Sequence, residues 1–114
     1  MPEGIARGGI VSNNRPIGTT RNELTMTHSL KTVNPYFEAV WQGLKTFEVR
    51  ENDRDYKVGD LLCLKEWDHK GERYTGREAT VEITYILDDF REVIRSGYVV
   101  IGFKIKSKFP LLTT

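Results

Sequence analysis

Eight consecutive residues, Gly43-Leu44-Lys45-Thr46-Phe47-Glu48-Val49-Arg50, hold the densest set of chemistry-bearing side chains in the sequence, in the pattern G-x-K-x-x-E-x-R. If Phe47 to Arg50 lie on a strand, Glu48 and Arg50 share one face and Phe47 and Val49 the other. Side chains at i and i+2 sit about 6.5–7 Å apart, within reach of each other. Taken alone, the pair is a surface ion pair worth under about 1 kcal/mol. Three neighbours shift the weight toward recognition of a polar ligand. Lys45 stands where a helix gives way to the strand, Arg54 and Lys57 lie in the turn that follows, and Asp53 and Asp55 are placed to orient them. An arginine offers a planar fork that suits phosphate or a base edge, and a lysine a point charge.

Catalysis is less well served by these residues. A lysine works as a base only once it has lost its charge, and Glu48, three residues on, favours the ammonium form. Arg50 competes for the same carboxylate and keeps it a poor proton donor. If the protein is an enzyme, Lys45 and Glu48 are its catalytic candidates. Cys63 sits among leucines in mid-strand and reads as an inert core residue. No serine stands in a nucleophile elbow, and no glycine-rich loop matches a phosphate cradle. One cysteine and two histidines, His28 and His69, supply no metal-ligand spacing, so neither a metal nor a cofactor is expected.

Aromatic residues are the other means of holding a base, at ~1–3 kcal/mol per stacked base. Tyr36, Trp41, Tyr56, Trp67, Tyr74, Tyr85 and Tyr98 are candidates. Trp41 and Tyr85 fall on apolar faces and read as core. Trp67 and Tyr74 flank a turn at 68–71, as a cross-strand aromatic pair or as two ligand-facing rings.

These side chains need elements to position them. Residues 28–33 read as a first strand. Asn34-Pro35 opens a helix of two to three turns, with Phe37, Val40, Trp41 and Leu44 as its apolar stripe and Gly43 at its end. Strands follow over 46–51, 61–67 and 79–87, with a return from Arg73 and a bulge at Gly76. On the 79–87 strand Val81, Ile83, Tyr85 and Leu87 share a face. Asp88-Asp89 caps one helical turn through Arg95, and a last strand covers 98–105. Residues 1–27 hold four glycines, two prolines and no aromatic residue, and are expected to be disordered. Met26, where the ordered pattern begins, is a possible true start. The domain then covers 28–106, with a short tail over 107–114.

At 114 residues, 39% hydrophobic and 29% charged, the chain reads as one soluble domain with a small core. No apolar run approaches the ~20 residues of a membrane span and no secretory leader is evident, so a cytoplasmic monomer away from membranes is expected. A net charge of +1 argues against a non-specific nucleic-acid coat. Charge is unevenly spread: 58–89 hold four basic and eight acidic residues, while 90–114 hold five basic and one acidic. Arg91, Arg95, Lys104, Lys106 and Lys108 form the basic side, though a solubilising surface looks the same. The element order has too few residues for two full sheets. An α+β fold follows, a small, partly closed β-barrel of five to six mostly antiparallel strands with one main helix.

From about His28 to Ile105 the chain resembles the ASCH-related families of bacteria and phage within the PUA-like superfamily, and most of all a subfamily of unknown function. The resemblance is carried by His28-x-Leu30-Lys31, Tyr36-Phe37, the 43–50 motif, Asn52-Asp53-Arg54, Val58-Gly59-Asp60, Glu66-Trp67 and Tyr74-Thr75-Gly76-Arg77. It implies a PUA-like barrel whose cleft, beside the helix, is lined by Lys45, Glu48 and Arg50, with an RNA or nucleotide ligand. His28, Lys31, Asp53, Arg54, Trp67 and Tyr74 join the ligand-binding candidates. One branch of the superfamily is similar to amidohydrolases that cleave acylated cytidine with a lysine, a threonine and a glutamate. Its lysine corresponds to Lys45, but its threonine falls on Glu48; Glu66 and Glu82 are candidates for the glutamate. A nucleoside-directed hydrolase is thus the second reading and a protein-interaction domain the third.

Overall fold

The computed structural model describes residues 25–111. Five strands form one sheet in the order β1-β3-β4-β5-β2: β1 is Thr27–Val33, β2 Phe47–Glu51, β3 Leu61–Asp68, β4 Arg73–Leu87 and β5 Tyr98–Phe109. Among the described residues there is one helix, α1, spanning Tyr36–Trp41. The expectation of disorder falls on residues that, up to 24, lie outside those described. Met26 already belongs to the fold, because its carbonyl accepts from the Leu61 N–H and extends the β1–β3 pairing by a residue.

Three of the four strand pairings are antiparallel; β1 and β3 run parallel. After β1 the chain crosses to the far edge of the sheet, lays down β2 and returns to place β3 beside β1. The sheet curls into a half-barrel, helped by irregularities on β4. Glu66 alone faces Thr75, Gly76 and Arg77 across one of them, and Gly76 takes a φ of +99°, which a side chain would strain. The concave face holds Leu30, Leu62, Leu64, Val81, Ile83, Ile101 and Phe103. Helix α1 closes one end with Phe37, Val40 and Trp41.

Several local features differ from the sequence expectation, each for a physical reason. Pro35, expected as the first helical residue, is instead the N-cap; Asn34 stands one residue before it, its Oδ1 accepting from the Glu38 N–H at 2.8 Å. The helix stops at Trp41, however, because Gly43 at φ +80° turns the chain away, and Leu44 is left 78% exposed instead of joining the apolar stripe. Tyr85 is 65% exposed: a register shift between Ile83 and Tyr85 rotates it to the convex face and brings Ile86 inward. The 88–97 segment forms hydrogen-bonded turns, with Ile94 N–H donating to the Phe90 carbonyl at 2.7 Å, and no helix. Strand β5 continues past Ile105 to Phe109, opposite Glu78. Its Lys108 ammonium bonds the Trp41 carbonyl at 3.2 Å and so terminates α1 with a cation.

Candidate functional site at the strand seam

Strands β1 and β2 are the two edges of the sheet, and the curl brings them face to face without pairing them. Arginine side chains span the gap. Arg50 Nη2 donates to the Lys31 carbonyl at 3.1 Å and to Thr32 Oγ1 at 3.4 Å, and Arg54 Nη1 donates to the Ser29 carbonyl at 2.7 Å. The carbonyls of Ser29 and Lys31, two residues apart, are groups that a neighbouring strand would otherwise engage. The seam between these edges is the candidate site.

The 43–50 motif lines it, with an inversion. Glu48 and Arg50 share a face as the alternation requires, but that face points inward, opposite Ile101 and Val99 of the core. Glu48 is 5% exposed, whereas Phe47 and Val49 turn outward. A buried carboxylate needs partners, and both lie in the motif. Lys45 Nζ is 2.7 Å from Glu48 Oε2, and Arg50 Nε 3.1 Å from Oε1. Gly43 makes this possible: past it, Leu44 and Lys45 N–H groups both return to the Ala39 carbonyl, which aims Lys45 across the start of β2.

Above this floor opens a cleft of about 500 Å³, with Thr32, Val33, Tyr36, Phe47 and Val49 as walls and Lys31 at the mouth. Arg50 divides it from a smaller hollow of about 210 Å³, which Asp53, Arg54 and Tyr56 line. The combination of apolar walls and a floor of one acid between two bases suits a planar polar molecule that both donates and accepts hydrogen bonds.

Residues 27–103 match the family model described as a domain of unknown function, DUF3850. This chain belongs to that family. It is 39% identical over 61 residues to an uncharacterized 12.9 kDa protein in the GpA 3′ region of Escherichia phage P2, an alignment covering 54% of each chain. The match thus spans about half the length of that curated relative. Every seam residue lies inside the DUF3850 match, while Lys108 and the end of β5 lie beyond it.

Around the DUF3850 seam the remaining site candidates divide. Lys45, Glu48, Arg50, Asp53 and Arg54 are gathered there, and Lys31 joins them from β1. The Lys31 ammonium also lies 3.9 Å from the centre of the Trp67 ring. Trp67 and Tyr74 meet edge to face at 4.9 Å as a cross-strand pair and line neither seam hollow. His28 is buried at the start of β1, its Nε2 3.0 Å from the fully buried Asp60 carboxylate and its ring edge-on to Tyr56. Asp60 also accepts from the Met26 and Lys57 N–H groups, so this cluster ties the start of β1 to the 57–60 turn. Asp55 pairs with Lys57 at 3.2 Å, while Arg54 reaches for backbone instead of carboxylate.

A second polar network escaped sequence reasoning. Arg77 grips Glu66 with both arms of its fork, Nε to Oε1 at 2.9 Å and Nη2 to Oε2 at 3.0 Å, and reaches Glu38 on α1 at 2.7 Å. Thr75 and Asn34 each donate to Glu66 at 2.6 Å. The Arg77 hydrogen bonds, reinforced by those of Thr75 and Asn34, outweigh burial and hold the Glu66 carboxyl down at about 2. Arg77 also stacks on Trp41, 4.7 Å from its ring centre. The pieces Glu66-Trp67 and Thr75-Gly76-Arg77 were visible in the sequence, but nothing there said that they meet α1. Glu66 is therefore a clamp for the helix and ill-suited to proton transfer near neutral pH, and Glu82 pairs with Lys106 at 3.4 Å on the convex side. Burial raises the Cys63 thiol above its ordinary value, and it lies half-buried, 3.3 Å from Glu78, outside the core proper.

Among the described residues no group of three or more His, Cys, Asp or Glu is arranged to hold a metal ion, and no helix is long and apolar enough to cross a membrane.

Proposed function

We propose that this domain is an RNA- or nucleotide-binding module of the ASCH, PUA-like kind, and that its ligand enters the seam between β1 and β2. One observation carries the reading: Glu48, paired with Lys45 and Arg50, forms the floor of an apolar-walled cleft of about 500 Å³. A nucleobase has the matching character, with apolar faces for Tyr36 and Phe47 and an edge of donors and acceptors for the charged floor. Lys31 at the mouth supplies positive charge for an attached phosphate. Few cations are involved, so affinity should fall only gently with salt.

The hydrolase reading gains no support at this site. Glu48 stands where that branch has its threonine, and both of its oxygens are engaged by bases.

Lys45→Gln is the discriminating variant. Arg50 is less suitable, because its side chain also bridges the seam. Fluorescence anisotropy with short single-stranded RNAs and with free nucleotides should show roughly tenfold or greater loss of affinity in Lys45→Gln, the scale of one charged hydrogen bond, at a temperature where circular dichroism shows the variant still folded, since Glu48 keeps its bond to Arg50. Undiminished affinity in that variant, or no binding by the parent protein, would remove the seam from consideration.

A further inference from the structure

A sheet that covers a core on one face normally turns polar residues to water on the other. The convex face obeys this rule over Thr80, Glu82 and Lys104 and breaks it where β4, β5 and β2 lie side by side. Tyr85 and Phe47 flank Gly102 from opposite sides, and in the next row Leu87 and Val49 flank Val100. Phe47 is 46%, Val49 55% and Val93 71% exposed. A groove of about 400 Å³ runs from Val49, Val100 and Tyr98 to Val93 and Arg95 of the adjoining turns.

We propose that this convex face is the contact between two copies of the chain, related by a two-fold axis. Two observations favour a second copy. The first is area. Phe47, Val49, Tyr85 and Val93, each 46–71% exposed and adjoining one another, reach the few hundred Å² at which a contiguous exposed apolar patch marks a protein contact. The second is charge. Glu51 is the cross-strand partner of Tyr98, and the Arg95 guanidinium lies 5.7 Å from the Tyr98 ring. A two-fold contact sets residue i against j and j against i, so an acid and a base bordering one shared residue are self-complementary. A nucleic-acid strand fits this face less well, since Asp88, Asp89 and Glu92 in the bordering turns outnumber Arg91 and Arg95. The contact differs from the monomer expected from composition, and it would wall the outer side of the seam, because Val49 lines both clefts.

Sedimentation equilibrium of the full chain across the micromolar range tests the proposal. A mass rising toward twice 13.1 kDa is expected. Val93→Glu and Tyr85→Lys, both at well-exposed positions, should each weaken association roughly tenfold or more with unchanged circular dichroism. Glu51→Lys should weaken it too, and adding Arg95→Glu should restore it. A monomer throughout the range overturns the proposal whatever else covers the face, as does a dimer indifferent to Val93→Glu. RNA binding in the seam is read separately by anisotropy, in Val93→Glu as well as in the parent, because Val93 lines the convex groove and not the seam cleft.

Discussion

The Arg50 guanidinium on β2 donates to the Lys31 carbonyl on β1 at 3.1 Å, across a gap where the two strands share no backbone pairing. Through Nε the same side chain holds Glu48, the floor of the cleft. One residue therefore sets the width of the seam and supplies part of its chemistry. Both bases of the motif stabilise the buried Glu48, but Arg50 alone of the two also bridges to β1.

Replacing Arg50 with alanine should cost about 1–3 kcal/mol, the scale of losing hydrogen bonds from a charged group and leaving buried acceptors unmet. Urea denaturation measures it. Arg50→Lys should recover only part of the loss, since an ammonium cannot serve Glu48 and the β1 backbone with a planar fork. Unaltered stability in Arg50→Ala would mean that the bridge to β1 contributes nothing.

Stability should fall in acid because of Glu66. Its carboxyl sits at about 2 in the folded protein, against a reference of 4.5. A depressed carboxylate contributes fully above the unfolded value, and its contribution is lost as pH drops from about 4.5 toward about 2. The amount is on the order of 3 kcal/mol. Urea midpoints at successive pH values should fall through this window in the parent protein. In Glu66→Gln they should start lower at pH 7 and decline less; parallel curves would rule out Glu66 as the group responsible.

Arg77→Lys keeps the charge but loses the two-armed grip on Glu66 and the stacking on Trp41. A loss of about 2–3 kcal/mol is expected. Because the network fastens α1 to β3 and β4, amide exchange at Ala39 and Val40 should accelerate more than exchange in the middle of β4. Uniform acceleration everywhere would show that Arg77 stabilises the whole fold without singling out the helix.

Lys108→Ala should cost about 0.5–1 kcal/mol by leaving the Trp41 carbonyl at the helix end without its cation. Lys108→Arg should restore most of it. Differential scanning calorimetry on the three proteins resolves the order, and a melting temperature in Lys108→Ala equal to the parent's would show that the contact adds nothing.

Much of this arrangement is legible in the sequence because it is local. A helix opening at Asn34-Pro35, Gly43 as the point where it gives way, and the alternation of Phe47, Glu48, Val49 and Arg50 all follow from backbone preferences over a few residues. The adjacency of Lys45, Glu48 and Arg50 follows from the same local geometry. Alternation says which residues share a face, however, and not which face meets the core. For β2 that was decided by pairing with β5 some fifty residues away, which placed Glu48 and Arg50 opposite Ile101 and Val99 and turned the apolar residues outward. Non-local register likewise moved Tyr85 to the convex surface and brought Arg77 beneath α1. The seam itself exists only in three dimensions: it arises where the curl of the sheet brings two unpaired edges together, and an arginine long enough to reach across holds them there.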